Sequence, residues 1–257
     1  MRAPAERTVQ INGKPCRVWE KGEGEPLGYL GGHPGLARWT PFLERLAERR
    51  RVIAPSLPGF VGGLGHDRLD GLVDWIAATL DLLDAAGLEG TDLVASSVGA
   101  TLAAEAAAFS RTNVKRLVLI APFGLYEESE PVADFWALPP GQSLLSNRPE
   151  KLAELVGAPE GVDPVEWQVT ISRANEAGAR LLWPTTDTGL IKRLHRITAP
   201  TLVIWGSDDR VIPASYAKRF TEAIAAPTAL KSIEGAGHLA EIDDPDATAE
   251  AVLDFLR

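Results

Sequence analysis

The chain has 257 residues, of which 45% are hydrophobic and 24% charged, a globular composition and neither a disordered nor a fibrous one. Its net charge of −9 argues against a phosphate-binding surface for DNA or RNA, and no apolar run approaches the roughly 18 residues that a membrane helix needs. The single cysteine, Cys16, cannot form an internal disulfide, and no Cys or His cluster has the spacing of a zinc site. Residues 1–10 lack the apolar core and cleavage-site pattern of a signal peptide. These features predict a cytoplasmic protein without a metal or cofactor, acting on a small molecule rather than on nucleic acid or membrane; they leave its oligomeric state open.

Thr8–Ile11 and Cys16–Trp19 flank Asn12-Gly13, a dipeptide suited to the positive φ angles of a tight hairpin turn. Short apolar runs then alternate with amphipathic stretches. The strand candidates are 27–30, 51–55, 92–95, 117–121 and 201–205, with a further one at 229–233. The helix candidates are 41–50, 72–86, 98–110, 215–225 and 246–256. Within 72–86, the residues Leu72, Val73, Ile76, Leu80 and Leu83 recur at helical spacing and predict the buried stripe. Alternating helices and continuously apolar strands predict an α/β protein, with a mostly parallel sheet covered on both faces. From Pro122 to about His195 the strand signals stop, and Pro, Glu, Trp and short helical pieces take over. That interval reads as a helical insertion (122–195) between two strands of one sheet, formed by residues 1–121 and 196–257.

The sharpest local feature is Leu93-Val-Ala-Ser-Ser-Val-Gly-Ala100, a strand running through two serines into an alanine-rich helix. A nucleophile on a tight strand-to-helix turn needs small residues two before and two after it, because the backbone is crowded there. Ser97 meets that demand with Ala95 and Gly99, whereas Ser96 would place Val94 and Val98 in those positions. A serine hydroxyl attacks only when a base takes its proton. Of the four histidines, His238 lies in the glycine-rich loop Gly235-Ala-Gly-His-Leu239; His66 and His195 receive no role. The base in turn needs a carboxylate to hold its tautomer. Asp209 is the expected partner, with Asp208 in reserve, both just beyond the run Thr201–Trp205. Serine, aspartate and histidine thus follow three strand ends in that order along the chain, all on the carboxyl edge where open α/β sheets place their sites. The turn Gly31-Gly-His-Pro-Gly35 also follows a strand, and the backbone N–H groups of His33 and Val98 are the expected oxyanion hole.

With these residues in place, the sequence resembles the alpha/beta-hydrolase fold superfamily in its capped, serine esterase-like branch. Gly31–Gly35, Arg51–Phe60, the turn around Ser97, Pro200–Pro213 and Gly235–His238 carry the resemblance, which spans nearly the whole chain. It implies a twisted sheet of about eight strands, with residues 122–195 forming a cap over the active site after the sixth strand. It also favours Asp209, three residues after Gly206 and four before Pro213. Three positions depart from the family pattern: Gly31-Gly32 replaces the usual His-Gly, Ala95 replaces a glycine, and Ser96 replaces a polar residue such as His or Asn. A serine at the turn speaks against the haloalkane dehalogenases and epoxide hydrolases of this fold, which resemble one another in using aspartate there. Carbon–carbon bond hydrolases of the meta-cleavage type often show a tryptophan after the catalytic histidine, where this chain has Leu239.

The resemblance implies hydrolysis of carboxylic esters through an acyl-enzyme on Ser97. The alternatives are a carbon–carbon bond hydrolase, a lyase, or a slow-turnover ligand receptor on the same scaffold. Gly32, Ser96, Phe123, Phe135, Trp136, Trp167 and Trp183 are the expected pocket residues, favouring a hydrophobic or aromatic substrate. Trp75 and Trp205 read as core.

Overall fold

The computed structural model describes residues 3–139, 142–185 and 187–257. β1 (Ala5–Ile11) and β2 (Lys14–Lys21) form the expected hairpin, in which Asn12 at φ 50° and Gly13 at φ 72° make the two-residue turn. β3 (Pro26–Leu30), β4 (Arg51–Pro55), β5 (Thr91–Ser96), β6 (Val114–Ile120), β7 (Thr201–Gly206) and β8 (Thr228–Ile233) complete one eight-stranded sheet in the order β1-β2-β4-β3-β5-β6-β7-β8. Only the β2 pairings, with β1 and β4, are antiparallel. From β3 the chain steps to β4 on one side and later returns to β5 on the other. The crevice beyond the carboxyl ends of β3 and β5 is therefore the topological switch point of the sheet.

Because side chains alternate along a strand, the central strands feed two cores at once. Leu93 and Ala95 of β5, Leu117 and Leu119 of β6, and Val203 and Trp205 of β7 face one core; Val94, Val118, Ile120, Leu202 and Ile204 face the other. The first core is covered by α2 (Leu72–Ala86), α3 (Ser97–Phe109) and α6 (Ser215–Ala223). The second is covered by α1 (Pro41–Ala47) and α8 (Pro245–Phe255), with the short α7 (Ala240–Asp243) between them in space. This double burial explains why the strands read as continuous apolar runs. α3 is buried at every residue from Ser97 to Ala108, and its alanines let it lie close against the sheet.

Two helix expectations need correcting. α1 stops at Ala47 rather than Arg50, its end bent by backbone bonds from Arg49 and Arg50 to Leu46. The buried stripe of α2 is Trp75, Ile76, Ala78, Thr79, Leu82, Leu83 and Ala86, and Val73 is 68% exposed. Thr79 fits this stripe because its hydroxyl donates to the Trp75 carbonyl at 2.7 Å, which makes a polar residue tolerable in the core.

Between β6 and β7 the described residues contain α4 (Pro149–Val156), α5 (Pro164–Leu182) and single helical turns at Phe135–Ala137, Leu190–Lys192 and Leu194–Arg196. Asp163 caps α5 by accepting the Val165 and Glu166 N–H groups at 2.8 and 3.1 Å, with Pro164 in the first helical position. Trp167 packs α5 on Ala37 and Val61 and donates its indole N–H to the Val156 carbonyl at 2.9 Å. The chain returns to the sheet through Arg193, which grips the fully buried Glu105 of α3, Nε to Oε2 at 2.7 Å. Among the described residues, no helix is long and apolar enough to cross a membrane.

Candidate active site

β5 delivers its last residue, Ser96, in extended conformation, and the chain then turns abruptly into α3. Ser97 takes up the turn at φ 52°, a left-handed angle that costs an L-residue about 1–2 kcal/mol and survives only where the surroundings enforce it. The enforcement is steric. A Cβ on Gly99 would stand 2.6 Å from the carbonyl oxygens of both Leu30 and Gly31, so α3 can start this close to β3 only with glycine there. Ala95, on the strand side, is completely buried.

His238 and Asp209 arrive from the neighbouring strand ends. The loops after β7 and β8 lie so close that a Cβ on Gly206 would meet the Gly237 carbonyl oxygen at 2.2 Å. Asp209 accepts the N–H groups of Val211 and Ile212 on Oδ1, at 2.8 and 3.0 Å, and its Oδ2 faces His238 Nδ1 at 3.0 Å. With Nδ1–H donated to the carboxylate, Nε2 accepts the Ser97 hydroxyl at 2.9 Å. Ser97, His238 and the Asp209 carboxylate are all shielded from solvent. Asp208 is exposed, its side chain turned to the Ser207 hydroxyl, so only one of the two aspartates stands beside the imidazole.

The turn after β3 supplies the opposite wall. The Gly35 N–H closes it on the Gly32 carbonyl at 2.7 Å. A Cβ on Gly32 would lie 2.9 Å from Ser97 Cβ, so the absent side chain lets this backbone approach the serine. The Val98 N–H sits in the first turn of α3, where helix N–H groups have no intrahelical acceptor. The His33 imidazole points away from the turn and is buried. Its Nε2 faces the Asn175 side-chain oxygen on α5 at 2.9 Å, and burial is the main cause that lowers its pKa from 6.5 to about 4.

Aromatic rings close the space above. Phe123 packs edge-on to His238 with 5.0 Å between centroids, Phe135 lies 5.6 Å from His33, and Trp136 stacks on Phe135 at 4.0 Å. Phe123, Phe135 and Trp136 are thus brought to the site, together with Gly32 and Ser96. Trp167 and Trp183 are not. Trp167 is committed to the seat of α5 on Ala37 and Val61, and Trp183 is 60% exposed, bonding Asp134 through its indole N–H at 3.1 Å. An irregular segment has no periodicity from which to tell inward from outward aromatics.

Other site residues carry no such signal in the sequence. Asp243 is buried and accepts the N–H groups of Gly237 and Asn147 on Oδ2, at 2.7 and 2.9 Å, and the Ser146 hydroxyl on Oδ1. It thereby fixes the loop that presents His238, yet in the sequence it is one of several acids near a helix start. Tyr29 and Glu241, likewise buried, lie beside Ser96. Among the described residues, no group of three His, Cys, Asp or Glu side chains is placed to hold a metal ion.

The model of the alpha/beta hydrolase family matches residues 31–251. The chain is 29% identical to 2-hydroxy-6-oxo-2,4-heptadienoate hydrolase of Pseudomonas putida, over 97% of this chain and 95% of that protein. It is 30% identical to the dihydrolipoyllysine-residue acetyltransferase component of the acetoin cleaving system of Pseudomonas putida, over 99% of this chain and 70% of that protein. Its structure is similar to that of a serine hydrolase involved in carbazole degradation, with 25% identity, a TM-score of 0.74 and 99% of each chain covered. A match of that extent, on a sheet of this order, makes the chain a member of the alpha/beta hydrolase family.

Proposed function

We propose that this protein is a serine hydrolase that cleaves the carbon–carbon bond beside a ketone carbonyl. The observation that carries the hydrolase reading is the relay from Asp209 through His238 to Ser97, at 3.0 and 2.9 Å in a site closed from water. The choice of bond is supported by a relative that matches 97% of this chain and is named a 2-hydroxy-6-oxo-2,4-heptadienoate hydrolase.

In this reading Ser97 Oγ attacks the carbonyl carbon while His238 Nε2 takes its proton, and Asp209 stabilises the imidazolium. The N–H groups of His33 and Val98 hold the oxyanion, each such donor being worth about 3 kcal/mol in the barrier. Collapse breaks the bond between the carbonyl carbon and its neighbour. For a 2-hydroxy-6-oxo-dienoate the enol first passes to its 2-oxo form, its proton moving to the carbon beside the ketone, so that the departing carbon leaves as a dienolate and takes the proton from His238. Water deprotonated by His238 then releases the acid from Ser97, so that one water is added across the cleaved bond. The segment between β6 and β7 acts as a cap, and Phe123, Phe135 and Trp136 receive an apolar acyl group.

Leu239, where meta-cleavage hydrolases often show tryptophan, favours a second reading, hydrolysis of esters by the same steps with an alkoxide leaving. The test compares 2-hydroxy-6-oxo-6-phenylhexa-2,4-dienoate and its primary amide with p-nitrophenyl butyrate. A higher kcat/KM for the dienoyl compounds, lost by a factor of about 10³ or more in Ser97→Ala, is the expected result. The reverse order of substrates establishes the second reading. Turnover no faster than in Ser97→Ala for every probe overturns both.

A further inference from the structure

From Gly31 to Gly35 the turn after β3 offers one side chain able to make a hydrogen bond, the His33 imidazole. The three glycines contribute none and add backbone freedom, and Pro34 lacks even an N–H. Two backbone bonds hold the far side of the turn, from the Gly35 N–H to the Gly32 carbonyl at 2.7 Å and from the Val61 N–H to the Pro34 carbonyl at 3.1 Å. The N–H of His33 itself has no acceptor among the described residues. Its direction is therefore set by whatever holds the rest of that residue.

The ring is gripped from the segment between β6 and β7. Its Nε2–H donates to Asn175 Oδ1 on α5 at 2.9 Å, and a Cβ on Gly178, one turn further along the helix, would stand 3.2 Å from its Nδ1. Phe135 and Trp136 lie at 5.6 and 6.1 Å between ring centroids, and Phe60 closes the core side at 6.2 Å. The imidazole cannot turn without displacing α5. The next residue of α5 makes a separate anchor: Glu176 Oε2 stands 3.4 Å from Nε2 of His66, a buried histidine in the single helical turn His66–Arg68 after β4. Both anchors seat the same helix, and only the one from Asn175 ends on the turn beside Ser97. Asn175 is itself exposed, so its side chain can be changed without opening a cavity in the core.

We propose that Asn175 is a positioning residue for the reaction: by holding the His33 ring it aims the His33 backbone N–H at the oxyanion, so that the oxyanion hole is complete only when α5 is docked on the turn. The inference rests on the hydrolase reading above, in which that N–H takes part. An oxyanion donor works by being in place before the charge develops, and a misplacement of 1 Å can cost about 10²-fold in rate. The Asn175 bond therefore acts on the chemical step, whereas the Glu176 anchor bears on the seating of the helix alone.

The test uses whichever of 2-hydroxy-6-oxo-6-phenylhexa-2,4-dienoate and p-nitrophenyl butyrate the wild type cleaves faster, together with the inhibitor 1,1,1-trifluoro-4-phenylbutan-2-one. Ser97 Oγ adds to the carbonyl carbon of this ketone, the serine proton passes to His238 and the carbonyl oxygen becomes an oxyanion, so that Ki reports the oxyanion hole without turnover. Asn175→Leu, which meets the Nε2–H with methyl groups, is expected to lower kcat about tenfold or more and to raise Ki by a similar factor, with KM within about threefold of wild type. Glu176→Gln is expected to keep kcat and Ki within about threefold. His33→Leu retains the backbone N–H and is expected to lose as much as Asn175→Leu, and the double variant no more than either alone. Unchanged kcat and Ki in Asn175→Leu, a change confined to KM, equal losses in Asn175→Leu and Glu176→Gln, or single losses that multiply in the double variant each overturn the inference. If Asn175→Leu does not fold, Asn175→Ala takes its place with the same expectations. A wild type that turns over neither substrate faster than Ser97→Ala overturns the hydrolase reading itself, whereas an active wild type without these losses overturns this inference alone.

Discussion

Two adjacent aspartates follow β7, and their surroundings separate them completely. Asp209 is held by two backbone N–H groups on one oxygen and faces His238 with the other, while Asp208 lies at the surface with Ser207. Replacing Asp209 by asparagine keeps the Oδ1 bonds but presents an NH₂ group to Nδ1. The imidazole then has to carry its proton on Nε2, where it can no longer accept from Ser97. Asp209→Asn is expected to lower kcat about 10⁴-fold with little change in KM, and Asp208→Asn to stay within about threefold of wild type. Steady-state kinetics of both variants on one substrate decide the assignment; equal losses would remove Asp209 from its proposed role. Both aspartates are equally visible in the sequence, and the family pattern adds its weight to the preference for Asp209. The spacing of small residues that selected Ser97 is a different kind of signal, because it reflects a collision. A Cβ added at Gly99 would stand 2.6 Å from two carbonyl oxygens, and no side chain fits there.

At the level of elements, legibility followed burial. Strands covered on both faces show themselves as apolar runs, and β3 to β7 all lie where such runs fall, whereas the edge strand β8 is largely exposed and carries a mixed sequence. α2 was legible in extent and mistaken in orientation, since it buries Ala78 and Thr79 and exposes Val73, a choice made by the neighbouring surface rather than by hydropathy. The segment between β6 and β7 could be bounded but not resolved, because Phe123, Phe135 and Trp136 sit in turns without a period and Trp167 is the single aromatic inside α5. Its return to the sheet includes a contact that no periodicity reveals, Arg193 against Glu105 in the middle of α3. Glu105 is fully buried, whereas Arg193 reaches partly into solvent. Removing the arginine leaves a buried carboxylate unpaired within the helix that begins at Ser97. Arg193→Ala is expected to cost about 3–5 kcal/mol of unfolding free energy, and the double variant Arg193→Ala/Glu105→Leu to recover most of it. Urea unfolding of the wild type and both variants measures this; a cost below about 1 kcal/mol in the single variant would mean that Glu105 finds another partner.

For the whole molecule, the switch point of the sheet gathers the turn after β3, the start of α3 and the loops after β7 and β8, and α5 comes down on that turn. His33 is the joint between them. Its Nε2–H bond to Asn175 is made by the neutral ring, and Nδ1 is buried with no partner among the described residues, so protonation would leave a cation between Phe60, Phe135 and Trp136. Desolvation accordingly holds its pKa at about 4 against 6.5 in an unfolded chain. In this window the unfolded state binds more protons than the folded one, so stability is fully present above pH 6.5 and drains away as the pH falls towards 4. At about 1.4 kcal/mol per pH unit, the loss reaches about 3 kcal/mol, which in a chain of this size lowers Tm by about 6–12 °C. Glutamine at position 33 still has an amide N–H to offer Asn175 but nothing to titrate. Between pH 7 and pH 4 the wild-type Tm is therefore expected to fall more steeply than that of His33→Gln by about that amount, the carboxylates common to both proteins cancelling in the comparison. Parallel curves would show that His33 takes up its proton in the folded protein without penalty, and that α5 does not depend on the neutral ring to stay seated on the turn.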